Sequence, residues 1–260
     1  MSLRSWLEHP LTRGLDIDDP RTTALRREIL LGKPFLRRIY DEWYGAIARA
    51  LPAGDGPVLE LGSGAGFLDG FVPRLVRSEV FLTPAPGIDA VLDGLVLPFR
   101  DGSLRGIAMT NVLHHLPSPR RFFEEAARCV RPGGTVAMVE PWVSPWSRWV
   151  YTRLHHEPFQ PEAAEWETPG GGPLSGANGA LPWIVFERDR ERFERELPAW
   201  RIRAIEPLMP FRYLVSGGIS LRGLMPGWSF PLWRGVERGL SPWRGRLAMF
   251  ALVVLERRAA

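Results

Sequence analysis

Between Pro57 and Pro141 short apolar runs alternate with helix-like segments, and few folds accommodate that alternation. The runs fall at 58–61, 78–82, 90–92, 106–110 and 135–139, with helices expected after Gly66 and after Pro117. Strands separated by helices pair in parallel, and a parallel sheet is covered by helices on both faces. The expected architecture is therefore α/β: a Rossmann-like, doubly wound, mostly parallel sheet. Two helices precede it over 20–51. The first follows Asp19-Pro20 and ends near Gly32; the second carries Pro34 in its first turn and one apolar face of Phe35, Ile39, Trp43 and Ile47. Beyond Pro141 the alternation stops, and E-T-P-G-G-G-P-L-S-G-A-N-G is a loop by composition. A helix over 187–197 and strands over 202–206 and 247–255 follow. Four segments result: an N-terminal helical cap (1–56), a ligand-binding core (57–141), an insertion or lid for an acceptor (142–199), and closing strands with an apolar excursion (200–260).

The chemistry is concentrated in P-V-L-E-L-G-S-G-A-G-F, which contains Glu60, Gly62, Ser63, Gly64 and Gly66. A strand feeding a glycine turn and then a helix brings bare backbone and a helix N-terminus to a ligand. Dinucleotide-binding turns space their glycines G-x-G-x-x-G. Here the third glycine arrives one residue early, and the strand ends in an acid. A carboxylate at that place repels a pyrophosphate and suits a cationic ligand such as the amino group and sulfonium of S-adenosylmethionine. Glu79, near the end of the next strand, stands where an acid accepts from ribose hydroxyls. In V-L-D-G-L-V-L-P-F, Asp93 is placed to accept from an adenine amino group while the Gly94 backbone reads the ring edge. T-N-V-L-H-H-L follows the fourth strand, and R-P-G-G-T-V-A-M-V-E-P turns into the fifth.

Taken in order, these pieces resemble the class I S-adenosylmethionine-dependent methyltransferases, specifically the small-molecule group called methyltransferase type 11. The resemblance covers roughly 57–141. It implies a seven-stranded sheet with an antiparallel last strand, S-adenosylmethionine as cofactor, and contacts from Glu60, Gly62, Gly64, Gly66, Glu79, Asp93 and the stretch around Asn111. One departure is visible: L-T-P-A-P-G-I after Glu79 is too proline-rich for the helix usual there.

Methyl transfer from a sulfonium is an in-line displacement, in which alignment of the reactants contributes about 7–11 kcal/mol. A general base adds on the order of 10²–10⁴-fold when the acceptor is a hydroxyl. His114, His115 and Glu140 follow adjacent strands and are the candidate catalytic groups, with O-methylation the expected chemistry. His155-His156-Glu157 reads as a solvated surface or part of the lid, and no metal is expected. Of 11 tryptophans, all but Trp6 and Trp43 lie beyond Pro141. They suggest an apolar acceptor pocket or a surface for a lipid-linked substrate at a membrane.

Charge narrows the partners. There are 33 basic residues against 29 acidic ones, scattered without a basic block, which argues against nucleic acid. The single cysteine, Cys129, cannot form an internal disulfide, no run reaches membrane-span length, and the first residues show no secretory pattern. A cytoplasmic enzyme with a small or lipid-like acceptor, and possible peripheral membrane contact, fits these limits. Two other classes stay open at the sequence level: an NAD(P)-dependent oxidoreductase and a non-catalytic scaffold of methyltransferase fold.

Overall fold

The computed structural model describes residues 9–11, 18–154, 157–167 and 176–259. Helix α1 (Arg21–Gly32) follows Pro20, and α2 (Pro34–Ala50) starts on Pro34. The α2 residues Phe35, Leu36, Ile39, Tyr40, Trp43, Tyr44 and Ile47 are buried, as their 3.6-residue spacing requires. Then come β1 (Val58–Leu61), β2 (Leu75–Glu79), β3 (Ala90–Val91), β4 (Leu104–Thr110), α3 (Pro119–Cys129), β5 (Val130–Pro141) and α4 (Pro145–Leu154). The chain closes with α5 (Arg190–Glu196), β6 (Trp200–Leu208), α6 (Arg212–Ser216), α7 (Phe230–Gly239), α8 (Arg244–Leu247) and β7 (Phe250–Arg257).

The seven strands form one sheet in the order β3-β2-β1-β4-β5-β7-β6. Strands β1 to β5 pair in parallel, and β7 runs antiparallel to both β5 and β6. The expected architecture and the antiparallel last strand are both present. Each sheet face carries its own apolar layer. One holds Phe122, Phe123, Ala126 and Cys129 of α3, with Phe186, Phe193 and Trp200. The other holds the buried face of α2 against Val139, Phe250 and Leu252. Helix α2 is thus a covering helix of the sheet as well as a cap over its end.

Two expectations need correction. No α-helix follows Gly66; a single 3₁₀ turn, Leu68–Gly70, takes its place. Eight residues separate Gly66 from the start of β2, and they include Gly70, a poor helix former, and Pro73, which has no N–H to donate. The second strand lies at Leu75–Glu79 instead of 78–82, so Glu79 is its last residue. The helix missing after Glu79 is absent, as the prolines demand: no helix falls between β2 and β3.

Strand packing is close at Gly106, where an added Cβ would lie 2.7 Å from Leu51 Cδ2 and 2.8 Å from the Thr135 carbonyl oxygen. Gly106→Ala should therefore lose about 1–3 kcal/mol through overpacking. Gly70→Ala, whose Cβ meets nothing within 4 Å, should stay within about 0.5 kcal/mol. Urea unfolding of the two variants checks this; equal midpoints would contradict the packing described.

Candidate active site

A cavity of about 490 Å³ opens at the carboxyl ends of β1 to β4. This is the place where strand order reverses, between β1 and β4, and where doubly wound sheets hold ligands. Its volume lies within the usual small-molecule range of about 300–1,000 Å³. Glu60, Gly62, Ser63, Gly64, Gly66, Glu79, Asp93, Gly94, Asn111, His114 and His115 all line it. Of the residues singled out from sequence, Glu140 alone does not.

The glycine turn is tied down from within. Gly62 and Gly64 adopt left-handed backbone, φ 65° and 50°, which a side chain would strain. Ser63 N–H donates to the Ser78 carbonyl at 2.8 Å, Gly66 N–H to the Ser63 carbonyl at 2.8 Å, and Gly64 N–H to Glu79 Oε1 at 2.6 Å. A Cβ on Gly66 would collide with the Tyr44 hydroxyl. These N–H groups are therefore engaged inside the turn, and no helix N-terminus stands behind it. The anion-binding geometry expected of a strand–turn–helix is not built here.

What the turn presents is acid. Glu60 is 3% exposed and has no ion pair among the described residues. Burial pushes its carboxyl up to about 8, opposed only in part by a hydrogen bond with Ser63. Glu79 is also raised by burial, and its bonds from the Gly64 and Val80 N–H groups pull the other way. Opposite them, Asn111 sits at φ 57° at the end of β4. Its Oδ1 and the Thr110 Oγ1 are buried without a hydrogen-bond partner, which is uncommon unless a ligand completes them. Asp93 Oδ1 accepts from Leu95 N–H at 2.8 Å, closing a small turn at the far rim.

The other half of the cavity is aromatic and holds a carboxylate–imidazole–carboxylate row. The chain has four tyrosines, and Tyr40, Tyr44, Tyr151 and Tyr213 all line the wall, with Phe159 and Phe250. Glu140 is fully buried behind His114. Its Oε1 accepts from the Val112 and Leu113 N–H groups at 2.8 Å each, and its Oε2 meets His114 Nδ1 at 2.7 Å. His114 Nε2 then faces Glu157 Oε2 at 3.7 Å. Burial alone would lower the His114 imidazole, but its hydrogen bonds with Glu140 and Glu157, and their charges, raise it to about 9. Glu157 reaches this place because Asn178 clamps the following segment: its side chain bonds Gln160 N–H at 2.9 Å and the Gln160 carbonyl at 3.1 Å, while its N–H reaches the His114 carbonyl at 3.1 Å. His114, His115 and Glu157 also offer ligand atoms within 4.8 Å of one another, a set that could chelate a cation.

Sequence reasoning placed Tyr44 over the site but missed Tyr40, Tyr151 and Tyr213, the part of Glu157, and Thr23 and Arg26 of α1, which line the cavity too. The signal available was the pairing of Tyr40 with Tyr44 on one helix face, overshadowed by the tryptophans. The tryptophan expectation needs correction, since no described tryptophan lines the cavity. Trp166 and Trp200 are core residues, and Trp146 donates to the Pro210 carbonyl at 2.8 Å. Trp43 packs in the core against Tyr213 and Phe250. Of the expected lid, Gly176 and Gly179 reach the cavity; His155, His156 and 168–175 lie outside the described residues.

Residues 59–138 match the family model described as a methyltransferase domain. An uncharacterized methyltransferase from Mycobacterium sp. (strain JLS) is 32% identical over 120 residues, 41% of this chain and 47% of that protein. Similar proteins from strains KMS and MCS match equally. The chain spans about half the length of these curated relatives. Among solved structures, geranyl diphosphate C-methyltransferase from Streptomyces coelicolor A3(2), determined with Mg²⁺, geranyl diphosphate and S-adenosyl-L-homocysteine, aligns over 96% of this chain and 91% of its own. The TM-score is 0.52 at 14% identity, a likeness of fold alone. Residues 59–138 thus match a methyltransferase domain, in a seven-stranded fold like that of this methyltransferase.

The imidazole row has a direct readout. Histidine NMR should find His114 titrating near pH 9, and Glu157→Gln, which removes one raising charge, should move it downward. A His114 that titrates at or below its ordinary value near 6.5 in the folded protein would contradict the row.

Proposed function

We propose that the chain is an S-adenosylmethionine-dependent methyltransferase that transfers methyl to an oxygen of a small or lipid-like acceptor. The observation that carries the reading is the Glu60 carboxyl, buried near the end of β1 with no ion pair of its own among the described residues, the Arg77 charge offsetting its burial only in part. A ligand that brings its own positive charge, the ammonium of a methionine moiety, satisfies it. Gly62, Ser63, Gly64 and Gly66 would lie beneath that moiety, Glu79 would accept from the ribose hydroxyls, and Asp93 with Gly94 would meet the adenine. The unpartnered Thr110 and Asn111 oxygens would accept from the same ligand. Nicotinamide dinucleotides are disfavoured, because the N–H groups of the turn are engaged and Glu60 would face a pyrophosphate.

Bound S-adenosylmethionine supplies an electrophilic methyl group on a sulfonium. The chain's part would be to hold an acceptor oxygen in line with that group and to take up the acceptor's proton. The acceptor's proton passes to His114 Nε2, and Glu140 steadies the resulting imidazolium through Nδ1. His115 and Glu157 flank the acceptor, and the tyrosine wall encloses its apolar part and excludes water. Glu140 acts through His114 and is a positioning residue. The chemistry needs no metal, so turnover should survive EDTA. Cys129, buried and alone, supports a reducing, cytoplasmic setting. No described helix is long and apolar enough to cross a membrane.

Calorimetry tests the cofactor reading. With Glu60 protonated in the free protein and ionised against the ligand's ammonium, binding expels a proton below pH 8. The affinity for S-adenosylhomocysteine should rise by up to about tenfold per unit between pH 5.5 and 7.5. Glu60→Gln should abolish that slope and weaken binding, and Glu79→Ala should weaken it at least about tenfold. A pH-independent affinity in the wild type would contradict the role of Glu60.

The base has its own signature. Because His114 must shed its proton to act, kcat/KM for a hydroxyl acceptor should climb with pH toward about 9 and fall away below it. His114→Gln should lose about 10²–10⁴-fold in kcat with cofactor affinity nearly intact. A flat profile from pH 6 to 9, or full turnover in His114→Gln, would remove the base from this account.

A further inference from the structure

The charge balance of the chain breaks down between β6 and β7. From Pro207 to Leu255 there is one acidic residue, Glu237, and six arginines. Glu237 is buried: Arg212 Nε donates to its Oε2 at 2.6 Å, and the Phe211 and Arg212 N–H groups donate to its Oε1. It therefore offers no charge to solvent, while Arg222, Arg234, Arg238, Arg244 and Arg246 are all exposed. Arg234 alone of these five has an ion pair among those identified in the described residues, to Glu42 at 3.1 Å.

On the same stretch large apolar side chains stand in water. Trp228 is 72% exposed, Leu232 64%, Trp243 52% and Val236 50%. Positions 228, 232 and 236 are four apart along a continuous helical run, so they share one side of it. The opposite side is buried: Phe230 packs edge-on against Phe35 of α2 with ring centroids 5.1 Å apart. Helix α7 thus has Phe230 in the core on one side and an apolar stripe turned outward on the other, while Arg234 and Arg238, four and eight residues after Phe230, stand away from that stripe. Scattered exposed hydrophobics are ordinary, but every exposed tryptophan among the described residues lies here or at Trp149 of α4, the helix that packs on α8.

We propose that this face, built from Trp228, Leu232 and Val236 with Trp243, Arg244 and Arg246 of the turns that follow, docks on an anionic lipid surface. Tryptophan and leucine seat at the headgroup boundary, where an indole has both apolar and wet surroundings. Arginines without acidic neighbours match lipid phosphates, and a negatively charged leaflet draws them in. A second copy of this chain is the poorer occupant, since a two-fold contact would set the same arginines against each other. The segment that leads into this face also reaches the candidate active site. The loop that follows α6 puts Ile219 and Ser220 on the cavity wall and leaves Arg222 and Leu224 exposed a few residues on. Docking would bring the cavity rim to the lipid boundary, the position required to take an acceptor out of a membrane.

Vesicle flotation of the full chain tests this, with phosphatidylcholine vesicles containing about a third phosphatidylglycerol compared with phosphatidylcholine alone. The protein should float with the anionic vesicles at least tenfold more than with the neutral ones. Vesicles of brominated lipid should quench its tryptophan fluorescence, less so in Trp228→Phe/Trp243→Phe. Arg244→Glu/Arg246→Glu and Trp228→Ala/Leu232→Ala alter only exposed side chains and should each lose at least tenfold in flotation. S-Adenosylhomocysteine affinity, measured on the same samples, reports that they are folded and separates this proposal from the assignment of the active site. Wild type that ignores anionic vesicles, or a charge-reversed variant that floats as well as wild type, overturns the proposal. So does light scattering that finds a dimer which Trp228→Ala/Leu232→Ala disperses.

Discussion

Two carboxylates at the ends of strands hold the candidate site together. Glu79 closes β2 and takes the Gly64 N–H of the loop after β1; Glu140, next to the end of β5, takes the Val112 and Leu113 N–H groups of the loop after β4. In each case the acid of an outer strand fixes the loop of its inner neighbour, and the two fixed loops are the two walls of the crevice. Both acids are at most 7% exposed, where an unpaired carboxylate is costly and a hydrogen-bonded one is tolerated. The turn can keep its left-handed glycines, and His114 its orientation, because these bonds leave neither loop another arrangement. Glu60 is the contrasting case. It stands between the two walls, equally buried, and has no ion pair of its own among the described residues, so it is the place at which a cationic ligand gains most.

The sequence revealed the sheet because parallel strands buried on both faces read as near-continuous apolar runs, and 58–61, interrupted by Glu60, and 135–139, opened by Thr135, are such runs. It revealed the cofactor half for a related reason: glycines and acids at strand ends have few structural explanations. It misled where a motif was completed by analogy. The helix after Gly66 belongs to the usual strand–turn–helix pattern, yet Gly70 and Pro73 were in plain sight and exclude it. The acceptor half was less legible because its residues come from places with no common pattern. Tyr40 and Tyr44 lie on a helix that reads as core, Tyr151 and Glu157 flank an insertion, and Tyr213 sits in the excursion between the last strands. Their convergence is a product of tertiary packing, and counting tryptophans pointed to the core and the outer surface instead.

The elements added to the sheet divide between cavity and surface. Helix α2 supplies the sheet's covering layer through Trp43 and Ile47 and the cavity wall through Tyr40 and Tyr44, so any movement that opened the cavity there would have to disturb the core. The insertion is tied more locally, with Asn178 joining Gln160 to the backbone of His114. The excursion between β6 and β7 reaches the cavity through Tyr213 and Ile219 while its remaining length faces outward. A single seven-stranded frame thus carries a polar half, set by strand ends, and an aromatic half assembled from everything appended to it.

The measurement that bears most directly on this account is a crystal structure of the protein with S-adenosylhomocysteine. The account predicts the ligand across the ends of β1 and β4, with its ammonium on Glu60, its ribose at Glu79, its adenine beside Asp93 and Gly94, and its sulfur turned toward His114 and the tyrosine wall. A ligand bound in the reverse sense, with adenine against Glu60, or one seated away from the β1–β4 crevice, would contradict it.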